Sequence, residues 1–284
     1  MKVGCHVSIA GGIVNAPKRA AGLGCEVFQM FTCSPQGGPV PKLTSEIVEQ
    51  FKEEMKKWGQ EKCYIHAPYY INFASSKKSI RSASAKIVRE ELERGSLIGA
   101  KYVMFHPGSA KDMERKEALK ITAEGVAKVM NGYDGSTELL LEISAGAGNV
   151  MGDTFEELKY IMDNCLPARA GGYDNIGICI DSAHMFASGY DIKTKEGFKK
   201  TIEIIKKTIG LERIKLIHAN DSKIELGGRK DRHDHVGDGK IGKEGFVNLV
   251  AVFNCDFIAE TKDDKVKEDI KILKNIALSA RKAR

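Results

Sequence analysis

Histidines and carboxylates stand at the ends of short apolar runs along the whole chain. His66 closes CYIHAP, His106 closes YVMFHPGS, Glu142 closes LLLEISAG, and Asp181 and His184 close IGICIDSAH. His218 closes IKLIHAND, His233 lies in the loop segment DRHDH, and Glu260 closes DFIAET. Imidazole nitrogens and carboxylate oxygens are the ligands of zinc and similar divalent ions. Nine such groups, the first aspartate of DRHDH included, exceed what one tetrahedral site needs. At about three protein ligands per catalytic ion, with one carboxylate bridging, they suffice for about three ions. A lone histidine at a strand end is more often a hydrogen-bonded core residue. Five of them with matching carboxylates make that bland reading a poor account.

These groups converge only if the runs that carry them are successive parallel strands. Eight runs can be marked, at 2–7, 25–31, 62–66, 101–106, 138–143, 176–181, 214–218 and 255–260. They are mostly continuous rather than alternating, as strands buried on both faces are. Helical patterns fill the gaps. Residues 44–58 and 79–98 are charged with apolar positions three and four apart, such as Ile80, Ala83, Ile87 and Val88, and Val266, Ile270, Leu273, Ala277 and Ala280 repeat this at the end. Thr44 before Glu46 and Thr154 before Glu157 mark helix starts, the second as a capping box. Eight strands alternating with about as many helices predict an α/β fold, a TIM (β/α)8 barrel forming a single domain over residues 1–284. A doubly wound sheet would carry a glycine-rich phosphate turn, and Gly11-Gly12 after the first run is not a GxGxxG. The long irregular stretches 32–43, 67–78, 144–153 and 219–241 all follow strand ends, the face on which barrel enzymes keep their active sites.

Composition narrows the class without naming it. The formal charge of +6 is modest and suits a polyanionic substrate only slightly better than a small one. No apolar run approaches the roughly 20 residues needed to span a bilayer, so a cytoplasmic protein without a membrane partner is expected. Seven cysteines include no CxxC pair. Cys5, Cys25, Cys63, Cys179 and Cys255 fall in predicted strands and read as small buried hydrophobes, Cys165 packs near a helix end, and Cys33 has no evident place.

The order of the ligands resembles the endonuclease IV family, metal-dependent enzymes that cut DNA at abasic sites. The resemblance runs from HVSIAGG at His6 through HAPYYINFAS, FHPGS, LEISAGAGN, CIDSAHMFASGYD, IHANDSK and DRHDHVGDGKIG to AET at Glu260. It implies three zinc ions, with manganese as a substitute. His66, His106 and Glu142 would hold the first; Glu142, Asp181, His218 and Glu260 the second; His184, Asp231 and His233 the third. Glu142, Asp181 and Glu260 around the paired ions are the catalytic candidates. Two ions sharing a carboxylate lower the pKa of a shared water, and a third neutralises phosphate charge. The resemblance implies hydrolysis 5′ to the abasic site in duplex DNA, leaving a 3′-hydroxyl and a 5′ deoxyribose phosphate, as part of base-excision repair.

Candidate DNA contacts follow from position. Tyr69 and Tyr70 stand just past His66, with one of them equally well accounted for by packing; Asn72 and Ser109 offer donors to phosphate; Arg232 sits between two proposed ligands. Lys240 and Lys243 read as a solvated charged face, His235 as either a phosphate contact or a solvated loop residue, and His6 as a hydrogen-bonding residue that either supports a ligand from behind or, the favoured reading, serves the fold. One departure from the family lies after the second strand. Family members place an arginine and an aromatic residue there to fill the gap left by the flipped-out nucleotide, whereas this chain has TCSPQGGPVP, in which Gln36 substitutes only in part. Where the family often has a proline after the final glutamate, this chain reads TKDD. The rival readings are a divalent-metal sugar isomerase or epimerase on the same barrel and a damaged-DNA binder without activity. A monomer is expected.

Overall fold

Runs of β-branched and aliphatic residues separated by amphipathic helical segments leave the chain one economical way to bury both faces of its strands: a sheet closed on itself inside a ring of helices. The computed structural model describes residues 1–165, 176–262 and 264–283. Its barrel strands are β1 (Val3–His6), β2 (Val27–Met30), β3 (Lys62–His66), β4 (Tyr102–Phe105), β5 (Glu138–Glu142), β6 (Ile176–Asp181) and β7 (Ile214–His218), with a two-residue hairpin of β8 (Asp221–Ser222) and β9 (His233–Asp234) before the eighth barrel strand, β10 (Asp256–Ala259). All barrel neighbours pair in parallel, and β10 lies between β7 and β1 to close the ring. The helices are α1 (Ala16–Leu23), α2 (Ser45–Lys57), α3 (Lys78–Ile98), α4 (Arg115–Met130), α5 (Phe155–Asn164), α6 (Ser182–Ala187), α7 (Lys195–Thr208), α8 (Gly242–Val252) and α9 (Val266–Ala283). Among the described residues no helix is long and apolar enough to cross a membrane.

Side chains alternate along each strand between the helical layer and the barrel interior. Val3, Phe28, Ile65, Val103, Leu141, Ile180, Ile217 and Phe257 join the core shared with the helices. Val27, Tyr64, Met104, Leu140, Cys179, Leu216 and Ile258 form a separate plug inside the barrel. Two residues beyond each plug residue comes the next inward position, and there the sequence reads Gln29, His66, His106, Glu142, Asp181, His218 and Glu260. His6 occupies the same level on β1, where it pairs in register with Gln29. One break in the alternation makes this ring complete. Ile214 packs with the helices while Leu216 packs in the plug, because the register slips by one residue between Ile178 and Cys179, leaving Lys215 as the extra residue of a bulge.

The opposite end of the barrel interior is closed by polar groups that satisfy one another. Asp256 accepts from the Tyr64 hydroxyl at 2.6 Å, Lys62 Nζ at 2.8 Å and the Lys2 backbone N–H at 2.7 Å, with Tyr102 stacked on Tyr64 at 5.6 Å.

Several expected details shift. Cys25 and Cys255 sit just outside β2 and β10 rather than within them, and all seven cysteines are thiols. Cys33 is buried, its thiol donating to Glu91 Oε1 at 3.3 Å. Thr44 and Thr154 cap α2 and α5 by accepting from Ile47 and Glu157 backbone N–H groups. The second cap is half of the expected box: the Glu157 carboxylate instead takes the Gly152 N–H at 2.8 Å and Arg115 Nε at 2.6 Å. Of the TKDD segment, Asp263 lies outside the described residues.

Candidate metal centre

The strand-end ring brings donor atoms together in three groups. His66, His106 and Glu142 form one; Glu142, Asp181, His218 and Glu260 another; Asp181, His184 and His233 a third. Ions bound at about 2.1 Å in a tetrahedron set their ligand atoms about 3.4 Å apart, and the observed separations cluster there. His66 Nε2 and His106 Nε2 stand 3.1 and 3.6 Å from Glu142 Oε2. His218 Nδ1 stands 3.0 Å from the other oxygen, Oε1, and 3.2 Å from Glu260 Oε2. The two oxygens of Glu142 thus face different histidines, as a bridging carboxylate requires. In the third group, Asp231 Oδ2 is 3.3 Å from His184 Nε2, and its Oδ1 is 3.3 Å from His233 Nε2. His233 Nε2 also lies 3.5 Å from Asp181 Oδ2, so Asp181 borders two groups. The family resemblance assigns Asp231 to the third group; the donor atoms of His184 and His233 gather with Asp181 as well.

Three imidazoles are aimed by a hydrogen bond on their far side. His66 Nδ1–H donates to Ala67 O at 2.7 Å, His184 Nδ1–H to Ile143 O at 3.1 Å, and His218 Nε2–H to Gln29 Oε1 at 2.7 Å. Each leaves its other nitrogen turned toward the carboxylates, the arrangement that fixes tautomer and raises ligand basicity at metal sites. The donor set and its spacing therefore fit divalent ions.

Electrostatics say the same. Burial alone would raise the Glu142 carboxyl, but His106, His218 and His66 hold it well below the usual range. Glu260, against the same burial, is held at about 2, chiefly by His218. Burial alone would lower His184, yet Asp181 and Asp231 outweigh it and carry the imidazole up to about 10. His218 is likewise raised against burial by Glu260 and Glu142 among its neighbours, while burial wins at His106 and lowers it. The carboxylates and most of the imidazoles thus favour one another's charged forms.

Two residues that sequence reasoning passed over connect the ligands. Gln29, fully buried, donates through Nε2 to Glu260 Oε1 at 2.6 Å and to His6 Nδ1 at 3.0 Å while accepting from His218. His6, lowered to about 4 by burial, accepts that bond and so reaches Glu260 and His218 through Gln29. Asn220 donates to Asp181 Oδ2 at 2.6 Å and Glu260 Oε2 at 3.2 Å, and its Oδ1 accepts the Glu260 N–H at 2.8 Å. Both are amides, invisible to a search for titratable ligands. Parity along β2 was the available signal for Gln29.

Around the ring lies a cleft of about 470 Å³ lined by His66, Tyr69, His106, His184, Arg232 and Glu260 among others. Tyr69 and Tyr70 are 64% and 42% exposed, so buried packing, the alternative open for one of them, accounts for neither. Tyr69 leans edge-on against Phe31 at 5.3 Å and tilts over His66 at 5.7 Å. The Asn72 amide is already engaged: Nδ2 donates to Ser109 O, and Oδ1 accepts from the N–H groups of Ser109 and Ala74. Asn72 and Ser109 clamp two loops together beside the cleft. Arg232 stays exposed, donating to Asp231 O at 2.6 Å. Gln36 is exposed, and the Gly37 that follows lies beside Tyr70, where a Cβ would be in ordinary contact with its ring at 3.7 Å. Lys240 is exposed and paired with Glu225 at 2.6 Å. His235 is tied by Nδ1–H to Asp269 Oδ2 at 2.8 Å and by Nε2 to Asp264 at 3.2 Å, which is neither of the two roles expected for it.

Comparison with known proteins adds the relatives. Residues 17–276 match the model of the xylose isomerase-like TIM barrel family. A probable endonuclease 4 of Aquifex aeolicus is 42% identical over 248 residues, 87% of this chain and 86% of that one. The crystal structure of endonuclease IV from Thermus thermophilus superposes with a TM-score of 0.82 at 29% identity, covering 100% of both chains. A D-tagatose 3-epimerase-like protein superposes at 0.74 over 100% of this chain and 99% of that one, but at 20% identity the likeness is one of fold alone.

Proposed function

The chain belongs to the endonuclease IV family, within the xylose isomerase-like TIM barrels, and from that premise we propose that it hydrolyses the phosphodiester bond 5′ to abasic sites in duplex DNA with three zinc ions, manganese serving as a substitute. The observation that carries the reading is the split of Glu142, one oxygen toward His66 and His106 and the other toward His218. A paired site with a bridging carboxylate plus a third donor group suits in-line displacement at phosphorus, whereas a sugar epimerase has no phosphate for the third group to neutralise.

When bound, the ions supply a water of lowered pKa and positive charge for the phosphate and departing oxygen. The chain's own residues do the rest. Glu142, Asp181 and Glu260 hold the paired positions, with Gln29 and Asn220 fixing Glu260 from two sides. His184, Asp231 and His233 present the third donor group at the cleft. Tyr69, exposed on the rim and backed by Phe31, offers a face on which a base can stack. Arg232 places a guanidinium where a phosphate enters, and Ser109, oriented by Asn72, borders the neighbouring cleft of about 400 Å³. Gln36 and the glycines after it provide no bulky wedge, so Tyr69 and Tyr70 carry the contact with the stack. Residues 1–284 act as one barrel unit, as a monomer.

Cleavage of a duplex carrying one synthetic abasic site tests this. Zinc-loaded protein is expected to leave a 3′-hydroxyl on the 5′ side of the lesion, and Glu142→Ala to leave the strand intact. Intact DNA with protein shown to hold its zinc would overturn the reading.

A further inference from the structure

The pair Asp231 and His233 is an odd place for ligands. Every other member of the ring stands at or near the end of a barrel strand, whereas Asp231 lies in the long connection between β8 and β9 and His233 opens β9 itself. The ladder of that hairpin is two residue pairs, Asp221 with Asp234 and Ser222 with His233, and the connection adds backbone bonds from Lys223 N–H to Arg232 O at 3.0 Å and from Arg229 N–H to Ala187 O at 2.9 Å. A segment with so little sheet of its own sits at the low-stability end of a fold. Fixing its backbone costs conformational entropy at every residue.

Two ties flank the pair, each two residues away. On one side Arg229, the one non-glycine residue at positive φ among the described residues (φ 52°), donates through Nε to Gly146 O at 2.9 Å and through a terminal nitrogen to Asp153 Oδ2 at 2.6 Å. Asp153 is buried and also receives Arg115. On the other side His235 donates to Asp269 Oδ2 at 2.8 Å, and the Val236 N–H donates to Oδ1 at 2.9 Å. Asp269 is buried on α9 and takes a further bond from the hydroxyl of Thr261, the residue after Glu260. One tie reaches the loop after β5, the other joins the loop after β10. Neither touches a donor atom of the ring.

We propose that Arg229–Asp153 and His235–Asp269 are positioning pairs that hold Asp231 and His233 against His184, and so set the affinity of the third ion without affecting the other two. This rests on the three-ion reading above. With a tie cut, the binding free energy of that ion must also order the loop. Groups that orient ligands from behind typically carry about 10- to 100-fold in metal affinity.

The test is zinc content of the purified protein across a series of buffered free-zinc concentrations, for wild type, Asp269→Asn, Arg229→Lys and Asp238→Asn. Asp238 pairs with Lys265 at 3.2 Å in the same region, at the surface, and serves as control. Wild type and Asp238→Asn are expected to fill three positions in the same range. Asp269→Asn and Arg229→Lys are expected to keep two tight ions and bind the last about 10- to 100-fold more weakly, with cleavage recovering as free zinc is raised. Should Asp269→Asn fail to fold by circular dichroism, Arg229→Lys decides alone. A third ion retained at wild-type affinity in the variants overturns the positioning role, and so does equal loss of all three. Wild type holding fewer than three overturns the underlying three-ion reading, and this inference with it.

Discussion

At the amino-terminal end of the barrel interior, Asp256 is met by the Tyr64 hydroxyl, Lys62 Nζ and a backbone N–H, all within 2.8 Å. At the carboxyl end, Glu142, Asp181, Glu260 and Asp231 face one another across a space shared with five imidazoles. Both ends bury carboxylates, Asp256 at one and Glu142 and Asp181 at the other, while Asp231 stands at the exposed rim. The first brings its own cation and donors, so its charge is answered by the fold. The second has amide donors from Gln29 and Asn220, but for cations of its own it has only histidines that take up protons. A buried charge is tolerated when paired, and the upper end leaves that pairing to cations from solution. The difference separates a polar cluster that closes a fold from one that recruits a reagent. Stability and catalysis divide between the two faces of such barrels along the same line.

The largest expected contrast is in catalysis. Glu142→Ala should slow cleavage by at least about 10³-fold, since each ion supplies several kcal/mol at the transition state. Tyr64→Phe at the other end should leave the rate unchanged. Tyr64→Phe should instead cost about 1.5–3 kcal/mol of stability, the range for a hydrogen bond to a charged group, read by denaturant unfolding. Zinc lost from that variant would mean the two ends are not independent. Next comes Gln29→Ala, expected to weaken zinc binding by about 10- to 100-fold because His218 and Glu260 lose a shared support; competition with a chromogenic chelator measures it. The last contrast is a pH limb, read in stability rather than in rate or affinity. In metal-free protein His184 sits at about 10, above its unfolded value near 6.5. The stability it contributes is therefore complete below about 6.5 and lost as pH rises through about 10. Asp256 is lowered against burial by Lys62 and Tyr64. Its contribution is present above about 3.9 and lost only in acid. The melting temperature of chelator-treated protein should thus fall between pH 7 and 10, while zinc-loaded protein stays level. Matching alkaline limbs with and without zinc would remove the distinction between the ends.

Much of this was legible before the fold was known. Runs 62–66, 176–181 and 214–218 match β3, β6 and β7 residue for residue, because each ends in a charged or titratable group that marks where the apolar stretch stops. The apolar runs around β2 and β10 extend past the strands themselves, since Cys25 and Cys255 resemble strand residues but pack from just outside. Gln29 and Asn220 went unread because a neutral amide declares its importance only through partners brought from as far as 231 residues away. His235 was ambiguous for the same reason, with Asp269 lying 34 residues further on. Arg229 and Arg232 look alike in sequence; only the structure separates the one that ties a loop down from the one left facing the cleft.

Lys215 carries a lesson about length. Because the bulge absorbs one surplus residue upstream of Leu216, the strand could lose that residue and still present His218 inward. A deletion of Lys215 would convert an irregular strand into a regular one, while a deletion of Ile217 would break the alternation between the plug and the ring. The gene should therefore tolerate a lost codon at the first position and not at the second, a two-residue boundary between spare chain and fixed aim.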